Sequence, residues 1–134
     1  MIPPDDLIPH LLAASDVLGT GWYAGDAARV RPGQTVVVVG DGAVGLMAVL
    51  AAKQMGAESV LECVGTDQSM KQAMAVCRPG GSIGYVGVPH GVQFDGQQLF
   101  FTQQNMLGGP APVRRFLPDL MRMVLARDIE PGDA

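Results

Sequence analysis

Residues 34–56, QTVVVVGDGAVGLMAVLAAKQMG, decide the fold. Thr35-Val36-Val37-Val38-Val39 is a β-branched run, too short and too uniformly apolar for a helix. It suits a strand buried on both faces, as in a parallel sheet. The strand stops at Gly40. Gly40-Asp41-Gly42-Ala43-Val44-Gly45 then spells G-x-G-x-x-G, and Leu46 to Met55 is rich in helix formers before Gly56 supplies a stop. Each glycine has a task in that setting. Gly40 permits the tight turn, Gly42 carries no side chain to hold a pyrophosphate off the backbone, and Gly45 lets the helix approach the strand. The phosphate then rests on the free N–H groups at the helix start. The motif and its flanks together point to a dinucleotide site; a strand–helix turn that only packs, or one that kept the motif and lost the ligand, is the competing reading.

Upstream of the strand, residues 6–29 read as helical pieces, with Leu7, Ile8, Leu11, Leu12, Val17 and Leu18 near helical period. Gly19-Thr20-Gly21 is expected to break them, and Arg31-Pro32-Gly33 to turn into the strand. Pro3-Pro4-Asp5-Asp6 resembles a helix entry within a longer chain. Downstream, Ser59 to Val64 forms a second strand candidate, and Thr66 or Asp67 can cap a helix over residues 68–77 that closes at Arg78-Pro79-Gly80-Gly81. Ser82 to Val88 is a third strand, with Gly84 and Gly87 where something approaches the backbone closely. Residues 94–102 form a turn or short helix whose Leu99, Phe100 and Phe101 are expected as core anchors. Gln104 to Gly108 is a short fourth strand candidate. Val113 to Arg127 carries Phe116, Leu117, Leu120, Met121, Val124 and Leu125 near a 3.6-residue period, an amphipathic helix with Pro118 in its early turns.

Composition excludes several classes of function. A chain of 134 residues with 48% hydrophobic and 16% charged residues and 18 glycines describes one α/β domain with many turns. Net charge −4, with no basic cluster larger than Arg114-Arg115, argues against a nucleic-acid partner, and that pair reads as a solvated helix start. No stretch is long and apolar enough to span a membrane, and MIPPDDLIPH lacks the basic and apolar regions of a signal peptide. Cys63 and Cys77 have neither metal-site spacing nor a disulfide framework, and are expected as reduced core residues of a cytoplasmic protein.

Strands alternating with helices after residue 34 predict a Rossmann-like doubly wound parallel sheet, reduced to about four strands. The whole chain reads as a single such domain, with residues 1–33 a helical lead-in and 34–134 the sheet and its helices. Ligands of such sheets sit at the carboxyl ends of the strands, so Gly40–Gly45, Val64-Gly65 and Gly87-Val88 are expected along one edge.

With these elements placed, the sequence resembles the coenzyme domain of the zinc-dependent, medium-chain alcohol dehydrogenase family. The resemblance rests on SDVLGTGWYAG (15–25), RPGQTVVVVGDGAVGLMAVLAAKQMGA (31–57), ECVGTDQSM (62–70), RPGGSIGYVGVPHG (78–91) and QLFFTQQNMLGGPAP (98–112). It implies NAD or NADP as cofactor, with Gly40, Gly42, Ala43, Val44 and Gly45 at the pyrophosphate and Thr20 at the nicotinamide face. Val64, Gly65, Val86, Gly87 and Val88 would line the nicotinamide end. Asp16 falls where the family places the third ligand of its catalytic zinc, a role open to a carboxylate beside an exchangeable position; a helix cap or solvated carboxylate is the plainer reading. The family also pairs its last strand between subunits, which implies a homo-oligomer through Gln104–Gly108.

The chain departs from that pattern in two places. The family's cysteine and histidine zinc ligands come from a catalytic domain ahead of this part, whereas here His10 is the sole upstream histidine and no cysteine precedes Cys63. Zinc is therefore not expected to be held by this chain. Secondly, the helix after the glycine turn runs within a few residues into VLECVGT, where the family has two further strand–helix units. The missing part includes the strand whose end selects NAD or NADP at the ribose. Spacing alone would give that task to Glu62, 17 residues after Gly45, while the resemblance assigns Glu62 to the family's fourth strand. Joining the first helix directly to that strand forces either a left-handed crossover, rare in such units, or a move into the second-strand slot; the first-to-fourth pairing is the expectation. The chain then reads as a shortened cofactor domain of a hydride-transferring dehydrogenase, not catalytic alone. A nucleotide-binding module working beside a partner chain, or an inert fragment, are the rival readings.

Overall fold

A computed structural model describes residues 4–55 and 59–133 of the chain. Pro3 of the expected helix entry and the expected helix stop at Gly56 lie outside the described residues. A 3-10 turn over Asp5–Leu7 leads into α1 (Ile8–Ala14) and α2 (Val17–Ala27). Then come β1 (Val36–Val39), α3 (Ala43–Met55), β2 (Ser59–Glu62), α4 (Asp67–Val76), β3 (Ser82–Tyr85), α5 (Gly96–Thr102), β4 (Asn105–Gly108) and α6 (Val113–Leu125), with a final 3-10 turn over Pro131–Asp133. The fold is the Rossmann-like α/β arrangement that the strand–helix alternation implied.

The four strands are all parallel and ordered β1-β2-β3-β4, with Val39, Glu62, Tyr85 and Gly108 in register across the sheet. Neighbouring residues of β2 face opposite layers, as the pleat requires. Leu61 packs with Ala24 and Ala28 of α2 and its flank and with Ala48 and Ala52 of α3. Val60 packs with Ala73, Met74 and Cys77 at α4, where Ile83 and, from α5 and β4, Leu99 and Met106 join it. Beyond α2 and α3 a further apolar layer joins Leu7, Ala14, Leu18, Met47, Phe116, Leu120 and Val124, drawing α1 and α6 onto the same side. The chain's two ends meet there, His10 Nδ1 accepting the Gly132 N–H at 2.9 Å and Arg127 pairing with Asp6.

These faces decide the hand of the first crossover. All three strand connections step the same way across the sheet, yet α3 lies on one face and α4 and α5 on the other. Parallel crossovers that step alike with helices on opposite faces have opposite hands. Giving the two that agree the right hand nearly universal in such units leaves β1–α3–β2 left-handed. The segment after α3 has thus kept the fourth-strand slot and has not moved into the second-strand one. Consequently β1, internal in the full arrangement, has no strand on its other side among the described residues.

Four local expectations need correction. Helix α2 runs through Gly19-Thr20-Gly21 unbroken, and the break falls at Ser15-Asp16 instead. The glycines are there for packing: a β-carbon on Gly21 would stand 2.5 Å from the Ala48 nitrogen, so α2 and α3 cross at backbone contact. Phe100 and Phe101 are not core anchors, being 76% and 72% exposed and stacked edge to face on one another; of that trio Leu99 alone packs inward. Pro118 lies in the body of α6, past the first turn where proline is best tolerated. The third strand stops at Tyr85, after which the Gly87 N–H shares the Glu62 carbonyl with the Val86 N–H instead of continuing the ladder.

Candidate dinucleotide site at the carboxyl edge of the sheet

The glycine turn has the geometry its spacing requires. Gly40 adopts φ +121°, a conformation that side-chain-bearing residues rarely take. Gly45 packs against the Gly40 carbonyl so closely that a β-carbon there has no room, whereas the space off Gly42 is empty to 4 Å. Helix α3 starts at Ala43, with the Leu46 N–H bonded back to the Gly42 carbonyl at 3.0 Å. The N–H groups of its first turn therefore have no intrahelical acceptor, next to the open space off Gly42, the arrangement that receives an anion. The residues present fit a pyrophosphate.

The second and third turns lie beside the first. A β-carbon on Gly40 would meet the Val64 and Cys63 side chains. Gly65, at φ +87°, accepts the His90 N–H at 3.0 Å, and Gly87 packs against the Gly65 and Val64 backbone. Thr20, Val86, Gly87 and Val88 are brought together around a cavity of about 320 Å³, closed by Pro89 and by Gly109, Pro110 and Ala111 after β4. The sequence reading quoted residues 109–111 within the 98–112 motif but gave them no site role. Their signal was the Gly-Pro turn directly after the fourth strand, level in register with the other three turns.

Glu62 has a different place from the one that spacing alone suggests. It is fully buried (0% exposed), so it is not open to a ribose. Its Oε1 accepts the Val64 N–H at 2.9 Å, the Gly65 N–H at 2.8 Å and the Ser69 hydroxyl at 2.7 Å, while Oε2 is buried without a partner. Ser69 in turn accepts the Thr66 N–H at 3.0 Å in a capping box at the start of α4. One carboxylate thus ties the Val64-Gly65 turn to the helix behind it. Burial, and secondly the Glu62 charge, push the neighbouring Cys63 thiol up to about 12.

Asp16 does not cap α2 through its side chain. It is exposed at the head of α2, and no group of three or more His, Cys, Asp or Glu able to hold a metal occurs among the described residues. A catalytic zinc needs three protein ligands, so the residues present do not fit one. His10 is buried at the Gly132 contact, away from such a role. Both cysteines are free, Cys77 buried and Cys63 partly so. No described helix is long and apolar enough to cross a membrane.

No protein-family profile matches the chain. A relative from Mycobacterium tuberculosis carrying the name "Probable zinc-binding alcohol dehydrogenase" is 30% identical over 166 aligned positions, covering 92% of this chain and 43% of its own length. The aligned span exceeds the 134 residues of this chain, so it includes residues of the relative with no counterpart here. An alcohol dehydrogenase structure from Thermus sp. ATN1 superimposes with a TM-score of 0.89 at 22% identity, over 99% of this chain and 52% of that one. A zinc-binding dehydrogenase from Sinorhizobium meliloti, solved with NADP, gives 0.73 at 19% identity, over 90% of this chain and 49% of that one. The chain spans about half the length of the proteins it matches.

Proposed function

For a chain whose homologues and structural neighbours are zinc-dependent alcohol dehydrogenases, of which it represents a part, we propose that it binds NAD or NADP by the pyrophosphate and nicotinamide ends and does not oxidise alcohols by itself. The observation that carries this is the open space off Gly42 beside the unbonded N–H groups at the start of α3. In this reading Gly40, Gly42, Ala43, Val44 and Gly45 hold the pyrophosphate. Thr20, Val64, Gly65, Val86, Gly87 and Val88 line the nicotinamide end with small side chains and backbone carbonyls, the N–H groups of Val64, Gly65, Val86 and Gly87 being bonded to Glu62. The bound dinucleotide would supply the hydride-accepting ring; the chain's own part is to hold and orient it and to shield one face from water. Asp16 offers at most one ligand to a metal completed by residues from elsewhere.

The strand end that reads the ribose has no equivalent on the open side of β1 among the described residues. Weak binding with little preference between NADH and NADPH follows. Titration of either reduced cofactor against the purified chain, followed by nicotinamide fluorescence, tests the reading. Saturable binding of both, with no turnover of simple alcohols, is the expected result. Binding of neither below millimolar concentration overturns it.

A further inference from the structure

We propose that the open edge of β1 is a self-association surface, on which β1 of a second copy pairs antiparallel to give one continuous eight-stranded sheet. The Ser59 and Cys63 N–H groups bond to the Thr35 and Val39 carbonyls. In a parallel ladder this turns the backbone groups of Thr35, Val37 and Val39 toward β2 and leaves those of Val36 and Val38 directed away from it. On that side no described strand receives them. The strand carries none of the devices that keep an edge single: its four residues are all valine, with no charge, proline or bulge.

The flanks of the edge carry exposed valines, with Thr35 and Arg78 also lining the groove on the α4 side. Val37 is 39% exposed on the α4 face, beside the exposed Val76 across a groove of about 250 Å³. On the other face Val49 of α3 is exposed, one step round the helix from the sheet-packed Ala52 and on the side away from α2.

Several features favour a second copy as the occupant. Two identical edges related by a twofold axis meet antiparallel and self-complementary. Centring the axis on Val37 sets Val36 against Val38 of the other copy, so that all four outward-facing backbone groups of each strand are paired. The same register carries the exposed Arg31 of each copy toward the exposed Asp41 of the other, a charge match at both ends. It also sets Val37 and Val49 beside their own copies. The expected subunit contact through Gln104–Gly108 lies at the opposite edge of the sheet, so the two are separable by mutation.

The experiment uses the full chain without cofactor, by sedimentation velocity across a concentration series. The wild type is expected as a dimer and Val37→Lys as a monomer with wild-type circular dichroism, while Leu107→Lys on the far edge stays dimeric. Should Val37→Lys fail to fold, Val37→Cys decides. The two Val37 residues form a non-hydrogen-bonded pair about 4.5 Å apart at Cα, within disulfide reach, so mild oxidation should link the copies, whereas Leu107→Cys should stay unlinked. A wild type that is monomeric at every concentration overturns the proposal. So does a dimer that Leu107→Lys abolishes, or one that Leu107→Cys links and Val37→Cys does not.

Discussion

Gly21 of α2 rests against the backbone of Ala48 in α3, where a β-carbon would stand 2.5 Å from the Ala48 nitrogen and 2.7 Å from the Met47 carbonyl carbon. Neither neighbour is a flexible side chain, so the helices themselves would have to part. Gly21→Ala gains about 1 kcal/mol of helix propensity, but the overpacking costs about 2–3 kcal/mol. A net loss of about 1–2 kcal/mol is expected in urea unfolding. Gly96→Ala, with nothing within 4 Å of its β-carbon at the start of α5, is the control and should be neutral or stabilising.

Gly42 separates binding from stability. Its β-carbon position is empty, so Gly42→Asp should leave the unfolding midpoint close to wild type. An added carboxylate there would meet the pyrophosphate as a like charge and fill the space it occupies. Affinity for NADH should fall at least about 10-fold, equivalent to about 1.4 kcal/mol. Gly45→Ala, against the Gly40 carbonyl, should instead lose both stability and binding. Equal NADH affinity in wild type and Gly42→Asp would remove the glycine turn from the site.

The β1–turn–α3 unit was legible because each residue's local preference agrees with the fold: valines for a strand, glycines for the turn, helix formers after it. The burial of β1 on both faces that its valines implied was not met, since β1 ends the sheet among the described residues and Val37 is 39% exposed. The three later strands were legible for the same reason, with ends displaced by one to three residues, as helix and strand termini commonly are. What local patterns missed came from contacts distant in sequence. Gly19 and Gly21 look like helix breakers until α3 is placed against them. Phe100 and Phe101 look like core until α5 is seen to turn only Leu99 inward. Glu62 has the spacing of a ribose acid, but its register in β2 sends it under its own turn. The 109–111 segment joins the site through strand register, which no linear pattern encodes.

Glu62 is expected to hold the Val64-Gly65 turn through its Oε1 atom. Glu62→Ala removes the acceptor of two backbone N–H groups and the Ser69 hydroxyl. A loss of about 2–4 kcal/mol is expected, since bonds to a charged group are worth about 1.5–3 kcal/mol and the donors left behind are partly or wholly buried. Glu62→Gln keeps an acceptor at Oε1 but places an amide N–H₂ where Oε2 finds no partner, so it should fall between wild type and Glu62→Ala. Hydrogen exchange gives the specific readout. The Val64 and Gly65 amides should lose protection in Glu62→Ala under conditions where β1 and α3 stay protected; unchanged protection at both amides would refute the anchoring role.

Cys63 is expected to weaken the fold at alkaline pH, alongside Cys77, whose thiol burial also pushes up. Burial, and then the charge of Glu62, hold its thiol protonated until about pH 12 in the folded chain, whereas an unfolded cysteine ionises near 8.5. Between those values the unfolded state binds fewer protons than the folded one, so stability falls as pH rises and is fully present only below about 8.5. The slope approaches about 1.4 kcal/mol per pH unit for a full proton difference. With its thiol held protonated near pH 7, the native side chain should resist iodoacetamide at neutral pH. Cys63→Ala should flatten the fall in urea stability between pH 9 and pH 11 relative to wild type, at a small cost at neutral pH for the lost sulfur. A wild-type curve that matches Cys63→Ala across that window, or rapid alkylation of folded Cys63 at pH 7, would show that the thiol is not held protonated beside Glu62.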